Sequence, residues 1–503
     1  MRYLTLCLFA GALIAAINDP VKLDSGAISG AAGSNPEVRV YKGIPYAAPP
    51  VGDLRWKSPK PVTKWDGVKK ADAFGSTCMQ SPYPEGSPYH GPAEATSEDC
   101  LYLNVWTAAK SAKEKRPVMV WIHGGALTRG SGSTPVYDGE KFAEKGVVLV
   151  TINYRLGIFG YFAHPELTKE SDRNASGNYG FLDQIAALEW VQRNIAAFGG
   201  DSKRVTIFGE SAGSWSVNVL VASPLTKGLF ARAIGESGAQ FGRVTPLAQA
   251  EAAGMAIAKR ANANSIAELR AKSAEDLMKL TVGASSVVDG YFLPQDVKSI
   301  YAAGKQNDVP LLIGSNADEG TAFTPPNVQA DGFRKTAKSR YGDDADAYLK
   351  IYPASSDDEA HKSSAQAMRD QTFGWEMRTW ARMQNQTGKS KVYVYYFSKV
   401  PPGEFGPKLG AYHASEIGYV FETLQGGTDT DHKLSDEMSS YWVNFATAGD
   451  PNGKSLPKWP VFDKTEMAMG LGDKVEPIPV PNKAGLDFLD AHQASSRPGR
   501  GAQ

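Results

Sequence analysis

Along this chain, short apolar runs rich in β-branched residues alternate with stretches in which apolar side chains recur every three or four positions. Residues 118–122, 147–152, 205–208, 309–314 and 392–397 are runs of Val, Ile, Leu, Tyr and Phe with few polar interruptions, as in strands buried on both faces. Between the second and third runs, Phe181, Ile185, Leu188, Val191, Ile195 and Phe198 line one stripe, and Gly199 and Gly200 stop it. That stripe predicts an amphipathic helix packed on a sheet. The alternation as a whole predicts an α/β fold: a central, mostly parallel sheet flanked by helices. With no internal repeat and no low-complexity linker, the chain reads as a single domain over residues 17–490, followed by a disordered tail over 491–503.

The first sixteen residues break this pattern. Arg2 heads an apolar run too short to span a bilayer, and Ala10, Ala12, Ala15 and Ala16 offer cleavage points, which together read as a secretory signal peptide. The mature protein is therefore expected to be secreted or periplasmic. Export changes what the cysteines mean. Cys7 leaves with the signal, and Cys78 and Cys100 are expected to pair in an oxidising compartment, worth on the order of 3 kcal/mol from loop closure. The Pro- and Gly-rich segment 79–95 then forms a long loop tied at its base. Two cysteines alone make no structural zinc site, and no metal site is expected.

Composition narrows the partners. Of 503 residues, 42% are hydrophobic and 21% charged, which excludes a disordered or fibrous chain. Lys plus Arg and Asp plus Glu stand at 54 each, so no positive surplus is available to grip nucleic acid or an anionic membrane. No segment after the leader is apolar enough to anchor the chain in a bilayer. A neutral or weakly polar small molecule is the expected partner; oligomeric state is not legible.

The candidate chemistry begins at Val205, where "VTIFGESAGSW" runs a strand into a glycine-flanked serine and on into helix-forming residues. Gly209 and Gly213 remove side chains at a tight strand-to-helix turn that would hold Ser211 exposed at the N-terminus of the helix. A hydroxyl needs a base to take its proton and donors for the oxyanion that forms. Upstream, "VMVWIHGGAL" delivers His123, Gly124, Gly125 and Ala126 at a strand end, where bare backbone can present N–H groups alongside that of Ala212. A second "GES" at Gly235, Glu236 and Ser237 is followed by Gly238 and Ala239, lacks the closing glycine, and is not read as a nucleophile. The base belongs among His361, His413, His432 and His492, which follow the serine; His413, in "GAYHASEIGYVF", is placed as a loop-borne base should be. The strand ending in "NADEG" supplies two adjacent carboxylates, Asp318 and Glu319, and their chemistry alone does not choose between them.

Eight ordered blocks, "YKGIPYAAPPVGDLRW", "SEDCLYLNVW", "WIHGGA", "NYRLGIFGYF", "GNYGFLDQIAALEWVQRNIAAFGGD", "FGESAG", "NADEG" and "HASEIGYVF", resemble the type B carboxylesterase family over nearly the whole mature chain, with variants most similar to its bacterial para-nitrobenzyl esterase-type members. The resemblance implies an α/β-hydrolase fold whose loop and helical insertions form an active-site gorge. It implies Ser211 as nucleophile, Glu319 rather than Asp318 as acid and His413 as base. Oxyanion donors would be the N–H groups of Gly125, Ala126 and Ala212; Glu210, Ser237 and Glu416 would stand behind the histidine, and Cys78 and Cys100 would close the family's first disulfide loop. The implied activity is hydrolysis of small, short-acyl or aromatic carboxylic esters through an acyl-enzyme, with no cofactor. Thioesterase, amidase or acyltransferase action uses the same triad, and a non-catalytic binding module is disfavoured because the triad is intact. Two positions depart from the family pattern, Ser202 in "FGGDS" and Glu236 in "IGESG". The first loop holds Tyr83 and Tyr89 but no tryptophan, so choline esters are not expected as preferred substrates.

Overall fold

A computed structural model describes residues 17, 19–92, 94–242, 245–280 and 283–495. Its centre is an 11-stranded sheet. In chain order the strands are β1 (Ala31–Ala32), β2 (Arg39–Pro45), β3 (Tyr102–Thr107), β4 (Arg116–Ile122), β5 (Val148–Ile152), β6 (Gly200–Glu210), β7 (Arg232–Glu236), β8 (Leu311–Asn316), β9 (Val392–Phe397), β10 (Met467–Leu471) and β11 (Val475–Pro479). Across the sheet they run β1-β2-β3-β5-β4-β6-β7-β8-β9-β10-β11. Every pairing from β5 to β10 is parallel, and both margins are antiparallel. This is the α/β-hydrolase arrangement, with insertions between the later strands.

Six helices matter below: α1 (Tyr179–Asn194), α2 (Ala212–Ala222), α3 (Asp357–Arg369), α4 (Trp375–Thr387), α5 (Asp429–Ala448) and α6 (Lys483–Ser495). Along β4 the side chains alternate between two cores. Val118, Val120 and Ile122 pack with Phe181, Ile185, Leu188 and Val191 of α1, whereas Met119 and Trp121 pack with Met438, Trp442 and Phe445 of α5. Both faces are covered, so the strand carries no polar alternation. The α1 stripe continues through a 3₁₀ turn at Ile195–Phe198 and stops at Gly199, whose φ of 78° is left-handed.

Among the sequence-read boundaries that the structure moves, three have a visible cause. β8 begins at Leu311 rather than 309, because Pro310 has no N–H to give to the ladder. β6 begins at Gly200, five residues before the expected run, and reaches β4 across a bulge between Gly200 and Val205. Helix α6 continues to Ser495, so residues 491–495, expected in the tail, are helical; buried Leu486 and Leu489 dock the helix and nothing in "AHQAS" breaks it. Residues 1–16, read as the signal peptide, and 496–503 lie outside the described residues. Cys78 and Cys100 form the expected disulfide. No helix among the described residues is long and apolar enough to cross a membrane.

Candidate active site

Strand β6 ends at Glu210, and Ser211 is the N-cap of α2 with φ 56° and ψ −120°, a conformation that costs a non-glycine residue roughly 1–3 kcal/mol. Two hydrogen bonds hold it there. Its N–H donates to the Glu236 carbonyl of β7 at 2.8 Å, and its carbonyl accepts from Trp215 at 2.9 Å in the first turn of α2. The flanking glycines make room for a neighbour: a Cβ would stand 2.4 Å from the Ile122 carbonyl oxygen at Gly209 and 1.9 Å from it at Gly213. Bare Cα positions thus let the end of β4 press against the elbow. The Ser211 side chain is only partly buried and makes no hydrogen bond among the described residues.

The end of β4 delivers the glycine turn to this point. A Cβ on Gly124 would lie 3.2 Å from Ser211 Cβ and 2.8 Å from the Glu210 carbonyl. Gly125 (φ 102°), Ala126 (φ 55°) and Leu127 (φ 59°) then run left-handed in succession, and the N–H groups of Thr128 and Arg129 both close on the Gly125 carbonyl at 3.0 Å. Gly125 and Ala126 thereby keep their own N–H groups out of the turn's hydrogen bonds. Ala212, as the first residue of α2, has no intrahelical acceptor. His123 stays behind this turn, buried and stacked on Tyr154 at 4.4 Å, and burial pulls its imidazole down to about 4.

His413 is 5% exposed, with Nδ1 2.6 Å from Glu319 Oε2. The other Glu319 oxygen accepts from the Ser237 hydroxyl at 2.5 Å and the Asn316 N–H at 2.7 Å, so a fully buried carboxylate has every oxygen engaged. Of the two adjacent carboxylates, Glu319 is the one that meets His413. Asp318 turns away: its Oδ2 accepts the Ala411 N–H at 2.8 Å and its N–H donates to the Ala411 carbonyl at 3.0 Å, stitching the histidine loop to the end of β8. Of the other candidate bases, His361 lies in α3, His432 in the first turn of α5 and His492 on α6 against Tyr341 at 4.7 Å.

His413 Nε2 lies 3.1 Å from Glu210 Oε1 and forms no hydrogen bond with the Ser211 hydroxyl. Such bonds are commonly loose before substrate arrives. Glu210 is fully buried, and desolvation, then the nearby Glu416 and Glu319, push its carboxyl well above the usual carboxylate range. Glu416 is pushed up to about 8, chiefly by burial and then by Glu236 and Glu319. Its hydrogen bond is to Asn316, from whose Nδ2 it accepts at 2.6 Å, and not to the His413 ring. Ser237 likewise reaches Glu319 rather than the ring.

Aromatic rings wall the site. Phe323 and Phe373 stand 5.1 and 4.7 Å from the His413 ring, and the Tyr89 hydroxyl donates to the His413 carbonyl at 3.1 Å. Tyr83 pairs with Tyr89 at 5.6 Å. The disulfide and a two-point clamp, Gln80 Nε2 to the Gly130 carbonyl at 2.8 Å and the Gly130 N–H to Gln80 Oε1 at 2.7 Å, fix the loop that carries both tyrosines. Sequence reasoning missed Asn316, although it stands in the quoted "NADEG", and Phe373. The latter sits in a π-helical segment, Asp370–Gly374, between α3 and α4, for which the residue pattern gives no signal.

The carboxylesterase family model matches residues 18–484. The chain is 38% identical over 496 residues to a fumonisin B1 esterase of Sphingopyxis macrogoltabida, covering 92% of this chain and 88% of the relative. It is also 38% identical to the para-nitrobenzyl esterase of Bacillus subtilis (strain 168), covering 84% of this chain and 89% of that one. A solved structure of PNB esterase superposes with a TM-score of 0.82 at 34% identity, over 93% of this chain and 99% of the other.

Proposed function

The chain belongs to the carboxylesterase family and is an ester-hydrolysing enzyme, and from that premise we propose that Ser211 is its nucleophile, His413 its proton carrier and Glu319 the carboxylate that orients the histidine. The observation that carries this assignment is the 2.6 Å contact of Glu319 with Nδ1 of a buried His413, beside a strained serine whose hydroxyl is unbonded. As an ester binds, the hydroxyl turns to Nε2, gives up its proton and attacks the carbonyl carbon. The carbonyl π electrons move to oxygen, and the N–H groups of Gly125, Ala126 and Ala212 hold the oxyanion at the N-terminus of α2. Collapse returns the electrons, breaks the bond to the alcohol, and passes the proton from Nε2 to the departing alkoxide. Water then repeats the sequence on the acyl-enzyme, releasing the carboxylic acid and restoring Ser211. While the imidazolium lasts, Glu319 accepts the hydrogen bond from Nδ1 and holds the ring in place.

The rings of Tyr83, Tyr89, Phe323 and Phe373 support small acyl or aromatic esters as substrates; an acyl-length series peaking at long chains would overturn that preference. The absence of a tryptophan in the first loop argues against choline esters. The leader-like first sixteen residues support export to the periplasm or beyond. The test of the triad is labelling with a fluorophosphonate, located by peptide mass spectrometry and paired with hydrolysis of para-nitrophenyl acetate. Label on Ser211 with loss of hydrolysis is expected; label elsewhere, or hydrolysis that survives labelling, would reject Ser211.

A further inference from the structure

Arg129 stands on the turn that carries the proposed oxyanion donors. Its N–H closes on the Gly125 carbonyl at 3.0 Å, and its own carbonyl crowds the place a Gly125 side chain would take. The guanidinium lies over the Tyr83 ring, 5.3 Å from its centre, and the Tyr83 hydroxyl in turn stands 3.0 Å from where a Cβ on Gly125 would be. The side chain is therefore held beside the reacting centre, half-buried, on an aromatic face. What it lacks is an anion. No Asp or Glu oxygen among the described residues lies within 4.0 Å of it, and it donates no side-chain hydrogen bond. Other shielded arginines have fixed partners: buried Arg55 pairs with Glu98 at 2.5 Å, half-buried Arg116 with Glu114 at 2.7 Å and Arg270 with Glu170 at 2.8 Å, while half-buried Arg204 and Arg232 donate to backbone carbonyls, among them that of Thr447 at 3.3 Å.

We infer that Arg129 is a specificity residue that receives an ionised carboxylate on the substrate, so that the preferred esters of this enzyme carry a second acidic group close to the scissile bond. The inference rests on the esterase reading above. A planar guanidinium presents a fork of donors that matches a carboxylate, and stacking on Tyr83 fixes its plane before substrate arrives. The local field permits it. Burial pushes the carboxyls of Glu416 and Glu236 up to about 8 and that of Glu210 well above the usual carboxylate range, which weakens their repulsion of an anion. Arg129 is partly exposed, so a ligand can approach it.

The test compares kcat/KM for para-nitrophenyl butyrate with that for mono-para-nitrophenyl glutarate, which adds a carboxylate to the acyl side, and for phenyl acetate with 4-acetoxybenzoate, which adds one to the alcohol side. In the wild type at least one anionic ester is expected to be preferred over its neutral partner. In Arg129→Met that preference is expected to fall by about 10- to 100-fold, mostly through KM, the size of one charge-assisted hydrogen bond. Arg129→Lys should restore part of it, since a brace on Tyr83 alone would not distinguish anionic from neutral esters. Independently of any variant, raising the salt concentration should lower the wild-type preference. A preference that responds neither to Arg129→Met nor to salt overturns the inference while leaving the esterase intact. Hydrolysis of none of the four esters removes the esterase reading, and this inference with it.

Discussion

The same three residues, Gly-Glu-Ser, end two adjacent strands. Gly209 and Glu210 on β6 pair in register with Gly235 and Glu236 on β7. The serines that follow share a backbone: φ is 56° at Ser211 and 57° at Ser237, and each N–H donates at 2.8 Å to a carbonyl of the next strand, Glu236 for the first and Gly314 for the second. Their side chains have opposite fates. Ser211 is partly exposed with a hydroxyl that makes no hydrogen bond among the described residues, whereas Ser237 is fully buried and donates a hydrogen bond to Glu319 at 2.5 Å. The difference lies in what comes next. After Ser211, Ala212 and Gly213 start α2 at once. After Ser237, Gly238 packs under the first elbow, where a Cβ would meet the Ser211 carbonyl at 2.6 Å. Strained backbone is common to both turns; a free hydroxyl beside a histidine belongs to one.

The sharpest way to separate the twins is to remove each hydroxyl. Ser211→Ala is expected to lower kcat by about 10⁴- to 10⁶-fold, the scale for losing a triad nucleophile, and to leave the unfolding midpoint near that of the wild type because that hydroxyl is partly exposed and makes no hydrogen bond among the described residues. Steady-state kinetics and denaturant unfolding on the same sample check both halves. Substantial residual hydrolysis would mean the two turns have been assigned the wrong way round.

The closing residue gives the next largest effect. Gly213→Ala drives a methyl to within 1.9 Å of the Ile122 carbonyl, a backbone atom that cannot step aside, and is expected to cost about 3 kcal/mol or more. The equivalent residue of the twin is already alanine: Ala239 is 4% exposed, and Ala239→Gly should cost only about 1–2 kcal/mol from lost burial and added chain entropy. Urea unfolding of the two variants decides it; equal costs would break the argument that close approach to β4 defines the functional elbow.

Ser237→Ala should do what Ser211→Ala does not. Glu319 Oε1 keeps the Asn316 N–H but loses the hydroxyl donor, so stability is expected to fall by about 1–3 kcal/mol and kcat by a modest factor as the carboxylate loses its fixed orientation. Unfolding and turnover measured together test this, and a variant changed in neither would show that Asn316 alone holds the acid.

These contrasts also mark what residue pattern reveals. The elbow at Ser211, the stripe of α1, the strand cores and the glycine turn at His123 were readable because each rests on local chemistry or on spacing. The roles of Gly209 and Gly213 were only half readable: bare Cα positions were expected to serve the turn's own tightness, whereas the atom that demands them is the carbonyl of Ile122, on a strand far away in sequence. The choice of Glu319 over Asp318 followed from family resemblance and not from chemistry, since it depends on Asp318 bonding Ala411 across a loop closed only in the fold. Phe373 reaches the histidine through a π-helical turn that no periodicity announces. Local rules place the strained serine; the residues that surround the proposed nucleophile arrive from distant strands.

Glu236 carries the smallest of these effects. Its carbonyl supports the Ser211 N–H, while its buried carboxyl has Trp442 Nε1 on one oxygen at 2.8 Å and no partner on the other. Burial, with Glu210 adding to it, pushes the carboxyl from an ordinary 4.5 up to about 8. Between those two values the folded state holds a proton that the unfolded chain has released, so this residue makes stability fall as pH rises, by at most about 1.4 kcal/mol per pH unit. Below about pH 4.5 both states are protonated and the penalty is absent; above about 8 it is complete. Glu236→Gln keeps the acceptor for Trp442 and removes the titration. Denaturant unfolding at pH 5 and at pH 8 should therefore show the glutamine variant gaining on the wild type as pH rises, with the loss of a neighbouring charge easing Glu416 in the same direction. A difference that stays constant across that interval would mean that Glu236 holds one protonation state throughout, and that the two turns differ only in shape.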